Sequence, residues 1–155
     1  EIGETETAGE LSERLSEIGA EHICEVLTDI ENNTATYKKQ NDAEATVVKT
    51  IKKEQTEVDF TKSGREVACF INGMSPLAFA VCNGKKFKFH RAKAAENNGE
   101  AGEVILADKK LIIGCGVNSV EILEIQEEGG KKLTAKDFLN GRKLKLGDRF
   151  GKKDA

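Results

Sequence analysis

LAFAVCNGKKFKFHRAKAAENNGEAGEVILADKKLIIGCGVNSVEILEIQ, residues 77–126, decides the fold. Short apolar runs are broken at regular intervals by turn residues, the mark of a small antiparallel sheet or barrel. The spacing predicts about five strands, over 77–82, 86–94, 103–107, 111–115 and 120–126. Turns are expected at Asn83-Gly84, at Asp108-Lys109 and around Val117-Asn118-Ser119. The gap at 96–102 is the longest and most polar, and is expected to be mobile. Gly114-Cys115-Gly116 has a G-x-G form, but no helical pattern follows it, so it reads as a strand-to-turn bend rather than a phosphate loop.

Upstream, Ser63-Gly64-Arg65-Glu66 forms a capping box, and Val67, Phe70 and Ile71 share one face before Gly73 as a stop, which predicts a short helix. Residues 37–57 are polar and lysine-rich and read as a linker, with a short strand at Thr46-Val47-Val48. Further upstream, Thr7-Ala8-Gly9-Glu10 is a second capping box. Leu11, Leu15, Ile18, Ile23, Val26, Leu27 and Ile30 follow at nearly helical spacing, up to an end near Asn32-Asn33. Glu13, Glu17, Glu21 and Glu25 repel one another along the other face, so packing on a partner surface must hold this helix. It is expected to fold back on the barrel or to self-associate through residues 11–30.

Downstream, QEEGGKKLTAKDFLNGRKLKLGDRF, residues 126–150, packs turn, helix and cap signals together. Thr134 caps a short helix, Asp137 sits at the capping-box position, Phe138 and Leu139 form its apolar face, and Gly141 is expected as a left-handed C-cap. Five strands with an intervening helix suit the partly open barrel of the OB type. The expected class is mainly β with short helices, an OB-like antiparallel barrel preceded by an amphipathic helix.

With 155 residues the chain has room for one domain, or one domain and a piece of another. It opens at Glu1 and its one methionine is Met74, so it is expected to be cut from a longer chain. No run approaches the roughly 18 apolar residues of a membrane span, and the first residues lack the layout of a signal peptide. A soluble, cytoplasmic protein without a membrane partner is expected. Cys24, Cys69, Cys82 and Cys115 are widely spaced and read as reduced, buried, apolar residues, and nothing calls for a metal. The net charge of −3 hides two opposite halves: residues 1–45 hold 3 Lys+Arg against 12 Asp+Glu, a balance of −9, and residues 46–155 carry +6. The basic part suits a polyanion, or simply a solvated surface.

Lys85, Lys86, Lys88, Arg91 and Lys93 lie on one strand with Phe87, Phe89 and His90 between them. Lysines there would meet phosphates and a phenylalanine would stack a base; alternatively the aromatics point into a barrel. Lys131, Lys132, Arg142, Lys143 and Lys145, with Lys136, Arg149, Lys152 and Lys153 nearby, form a second basic group. His22 and His90 lack a carboxylate or cysteine at catalytic spacing, and no catalytic residue is expected.

Gln126, Gly130-Lys131-Lys132, Phe138-Leu139-Asn140-Gly141, Gly147 and Phe150 resemble the closing segment of the methionyl-tRNA formyltransferase family. Val58-Asp59-Phe60-Thr61 is similar to an Ile-Asp-Trp-Ser type motif there, with Phe for Trp. Met74-Ser75-Pro76-Leu77-Ala78 matches a family turn in part, without its aromatic residue and second proline. Residues 6–34 resemble the last helix of the catalytic domain. The resemblance implies that residues 1–40 end a Rossmann-like α/β formyltransferase domain with its linker, and that residues 41–155 form an OB-like, tRNA-binding C-terminal domain. It implies a parent that moves formyl from 10-formyltetrahydrofolate to methionyl initiator tRNA. The family's catalytic Asn, His and Asp lie upstream of Glu1, so this piece alone is expected to be inactive and without a cofactor, with weak, largely sequence-independent tRNA binding. A sugar-nucleotide or folate-linked formyltransferase and a stand-alone OB-like interaction module are the alternatives.

Overall fold

A computed structural model of the chain describes residues 1–141 and 144–151. They form two units, one of residues 1–8 with those from 52 onward and one of residues 9–51. In the larger unit the strands are β1 (Phe79–Cys82), β2 (Lys85–Ala95), β3 (Val104–Ala107), β4 (Leu111–Gly114), β5 (Ser119–Glu127) and β6 (Leu133–Thr134). The five expected strands are all present, and β6, two residues long, is an addition. The order is β1-β2-β5-β4-β3, antiparallel throughout, with β6 paired to β5. Asn83 and Gly84 adopt φ of 50° and 74°, the left-handed pair that a two-residue hairpin turn requires.

This order leaves β1 and β3 as edges. Residues 147–151 join them: Phe150 bridges to Cys82 and Arg149 to Glu103. The N–H of Val104 donates to the Asp148 carbonyl at 2.8 Å, and the N–H of Gly151 to that of Val81 at 3.0 Å. The result is a mainly β, curled antiparallel half-barrel, consistent with an OB-like fold. Inside it Phe60, Phe87, Phe89, Phe138 and Phe150 interlock, with ring centroids 5.4–6.2 Å apart and geometries mostly edge-on, as aromatic quadrupoles favour.

Helix α2 (Gly64–Met74) lies against β2, with Val67, Ala68 and Ile71 buried. Ser63 caps it: its hydroxyl accepts the Glu66 N–H at 3.3 Å, and the Glu66 carboxylate accepts the Ser63 hydroxyl at 2.6 Å and its N–H at 3.0 Å. These bonds, the hydroxyl's first, hold the Glu66 pKa below its usual value. A lowered carboxylate pKa gives stability that is present above the unfolded value and lost as pH falls through the folded one. Ser63→Ala is therefore expected to destabilise the chain at neutral pH and to do so distinctly less in acid; equal losses in urea melts at the two pH values would contradict this.

Helix α3 (Ala135–Asn140) is capped by Thr134, whose hydroxyl accepts the Asp137 N–H at 3.2 Å. Gly141 corrects an expectation. Its φ of −76° and ψ of −2° are right-handed, because its N–H turns back to the carbonyls of Phe138 and Leu139 in a tightened last turn. The loop at 96–102 is anchored at both ends, Asn97 N–H to Ser119 Oγ at 3.1 Å and Gly102 N–H to the Gly114 carbonyl at 2.9 Å.

In the smaller unit α1 (Ala8–Glu31) runs almost as predicted, with Asn33 turning at φ 56°. No residue of α1 is buried, and Leu15, Ile23 and Leu27 are more than half exposed. Thr46-Val47-Val48 is not a strand. Val47 and Val48 are 91% and 86% exposed, and a β-branched run without a ladder or a face to bury gains nothing from extension. The cysteines split as well. Cys82 and Cys115 are buried, whereas Cys24 on α1 and Cys69 on the outer face of α2 are exposed and all four are free thiols.

Candidate nucleic-acid interface

Strict alternation along β2 would send Arg91 and Lys93 to the same face as Phe87 and Phe89. The pairing with β5 instead shifts register between Phe89 and Arg91 and again before Ala92. Phe87 and Phe89 are buried below the irregularity and Ala92 beyond it, while Lys86, Lys88, Arg91 and Lys93 remain half exposed. A strand irregularity thus gathers the basic residues onto one outer face. The two phenylalanines, at 2% and 0% exposure, are core, so neither stacks a base.

Across the ladder β5 presents carboxylates. Lys85 Nζ lies 2.9 Å from Glu127 and Lys93 Nζ 3.5 Å from Glu121, which also takes Lys110 at 3.2 Å. Arg91 donates to the Thr5 carbonyl at 3.1 Å. Asn72 holds the same region: its amide exchanges two 2.9 Å bonds with the backbone of Ala92 and donates to the Glu4 carbonyl at 3.3 Å. Arg91 therefore has a structural duty. Among the described residues Lys86 and Lys88 have no carboxylate partner, and Lys86 Nζ instead lies 3.7 Å from the centroid of the Phe79 ring.

The Lys131-Lys132 turn sits on the other side of β5, where β6 pairs with Glu124 and Ile125. Gln126 ties it down. Its Oε1 accepts from His90 Nε2 at 2.9 Å, and its amide donates to the Gly130 carbonyl at 2.8 Å. Gln126 also stands opposite Lys88 in the ladder, so one side chain links the basic strand to the basic turn. Lys132 pairs with Glu124 at 3.0 Å, and Lys131 is exposed. Lys145 lies apart, on the closing segment, where its N–H donates to Asp148 at 2.9 Å. Arg142 and Lys143, with Lys152 and Lys153, lie outside the described residues. Sequence reasoning missed Phe79. The small inward residues Ala78, Ala80 and Cys82 were the available signal, since they turn residues 79 and 81 outward.

Other chemistry is sparse. Burial pushes the Cys82 thiol up to about 11, with the Asp148 charge adding to it, and the Cys115 thiol up to about 12, so neither supplies a thiolate at neutral pH. His22 Nδ1 meets Glu25 at 3.2 Å on the exposed surface of α1. Among the described residues no three His, Cys, Asp or Glu side chains gather around a metal position, and no helix is long and apolar enough to cross a membrane.

Comparison with known proteins agrees with this architecture. The chain is 36% identical over 154 residues to a methionyl-tRNA formyltransferase of Koribacter versatilis (strain Ellin345), covering 97% of this chain and 49% of that protein. It is 37% identical over 157 residues to one of Geotalea daltonii (strain DSM 22248 / JCM 15807 / FRC-32), covering 99% and 50%. The chain thus spans about half the length of the curated relatives it matches. Among solved structures, a substituted variant of HypX from Aquifex aeolicus superposes with a TM-score of 0.59 at 23% identity, over 81% of this chain and 24% of that one. HypX in complex with tetrahydrofolic acid gives 0.58 at 19%, over 86% and 26%. These two carry the fold alone. Residues 50–143, which hold α2, every strand and the Gln126-tethered turn, match the formyl transferase, C-terminal domain, and the chain belongs to that family.

Proposed function

We propose that the chain is part of a methionyl-tRNA formyltransferase, the enzyme that moves formyl from 10-formyltetrahydrofolate to methionyl initiator tRNA in the cytoplasm at translation initiation, and that this part holds tRNA through a basic surface. The observation that carries the reading is the shared name of the relatives across nearly the whole chain. In this reading residues 1–40 end a Rossmann-like catalytic domain, and residues 41–155 bind tRNA through Lys85, Lys86, Lys88, Arg91, Lys93, Lys131, Lys132, Arg142, Lys143 and Lys145. Lys86, Lys88 and Lys131 contribute most, since carboxylates offset Lys85, Lys93 and Lys132. The exposed apolar residues of α1 support self-association through residues 11–30. The formyl donor belongs to the parent; this chain alone carries no cofactor and transfers no formyl group.

A salt titration of tRNA binding tests the reading. Affinity is expected to be weak, nearly indifferent to sequence and steeply salt-dependent, with log K falling by about 0.7 to 0.9 per phosphate contact for each tenfold rise in salt. Lys86→Glu with Lys88→Glu is expected to weaken every tRNA alike, because phosphate contacts position without reading bases. An unchanged slope and affinity would remove β2 from the surface. No tRNA binding even at low salt would favour a sugar-nucleotide or folate-linked formyltransferase, or an interaction module, over this reading. Formyl transfer above background by the repurified chain would overturn the assignment of inactivity.

A further inference from the structure

We propose that Phe79 is a stacking platform for one unpaired nucleobase of a bound RNA, with Lys86 and Lys88 taking the phosphates on either side of it; this rests on the basic-surface reading above. Ala78 and Ala80 are fully buried and Cys82 nearly so, so the two-residue period of β1 turns Phe79 and Val81 outward. In the antiparallel ladder Phe79 pairs with Lys88 and Val81 with Lys86, and directly opposed residues share a face. Four side chains therefore form one patch, an aromatic ring and a valine flanked by two ammonium groups.

Charge distinguishes this patch from the rest of the strand. Lys85 and Lys93 are each matched by a carboxylate on β5, whereas the β5 residue opposite Lys88 is the neutral Gln126. Lys86 and Lys88, without a carboxylate partner among the described residues, thus lie beside the half-buried Phe79, and Glu57 bridges to Phe79 on its other edge. Lys86 over the Phe79 ring at 3.7 Å shows that a cation reaches the π-face from the solvent side. A base can take that place while the ammonium moves to a phosphate, the combination that single-stranded nucleic acids use. Paired bases hide their faces in the stack, so the occupant is an unpaired nucleotide. Phe87 and Phe89 are sealed in the core. Phe70, half-buried on α2, lines a cavity with three carboxylates, Glu57, Asp59 and Glu66, against one cation, Lys62, a net negative lining.

The chain contains no tryptophan and one tyrosine, Tyr37, so Phe79→Trp introduces a single tryptophan at the platform, excited selectively at the red edge where tyrosine does not absorb. Single-stranded oligo(U) is expected to quench its emission as it binds. Poly-glutamate, a polyanion without bases, is expected to leave the emission unchanged. Phe79→Ala, checked for an unaltered melting temperature, is expected to weaken oligo(U) about 5- to 150-fold, the range that base–aromatic stacking gives. Lys86→Gln with Lys88→Gln is expected to lower the salt slope by about 1.4. No quenching by oligo(U), or unchanged affinity in a folded Phe79→Ala, overturns the platform while the basic surface stands. Poly-glutamate that quenches and competes as well as oligo(U) overturns it in favour of an acidic protein partner. Unchanged affinity and slope in the double lysine variant overturn the basic surface itself.

Discussion

Gly116→Ala is expected to lose about 3 to 5 kcal/mol of stability, a large part of the 5 to 15 that a domain of this size has. A Cβ built on Gly116 would lie 1.9 Å from the carbonyl oxygen of Thr61 and 2.8 Å from its carbon, and backbone atoms cannot rotate away as a flexible side chain does. The Gly116 N–H also donates to the carbonyls of Phe60 and Lys62, both at 2.9 Å. A shift large enough to admit a methyl group would stretch those bonds and draw Phe60 out of contact with Phe89 and Phe150. Urea melts give the number. Gly19→Ala on α1, where nothing lies within 4 Å of the new methyl, serves as the control, expected neutral or stabilising by the helix propensity of alanine. A loss below about 1 kcal/mol at Gly116 would show that the 60–62 segment retreats freely.

The same glycine marks how far the sequence could be read. Gly114-Cys115-Gly116 was legible as a strand-to-turn bend, but the reason for glycine at 116 lies in Thr61, remote along the chain. Strands and turns followed from local pattern: Asn83-Gly84, the Phe87 and Phe89 alternation and the Ser63-to-Glu66 capping box all depend on neighbours within a few residues. The irregularity at Phe89 to Ala92 did not, because it exists only in the pairing of β2 with β5. Period two alone would have buried Arg91 and Lys93. Register also decides which lysines are paired with Glu121, Glu124 and Glu127. The candidate surface was therefore legible as a set of basic residues, but not as a ranking among them. Val47 and Val48 show the converse, a strand-like run that finds no ladder to join.

Deleting residues 144–155 is expected to have the largest effect, abolishing cooperative folding of the barrel. Phe150 is packed against Phe60, Phe87 and Phe89 at centroid distances of 5.4–6.0 Å, and Leu144 is buried at 3% exposure. Truncating a buried Phe costs about 3 to 5 kcal/mol and a buried Leu about 2 to 5. The deletion also removes the partners of Val104, Gly102 and Val81 along both edges, which exposes the β1 and β3 edges to pairing with other chains. Phe150→Ala separates the two contributions, since it keeps the backbone seam and loses the ring; it is expected to melt cooperatively with about 3 to 5 kcal/mol less stability. Amide dispersion in a proton–nitrogen correlation spectrum and gel filtration report the outcome. A truncated chain that stays monomeric with a dispersed spectrum would mean that β1, β2, β4 and β5 hold their curl unaided. The 147–151 segment would then be a covering on the half-barrel rather than the element that closes it.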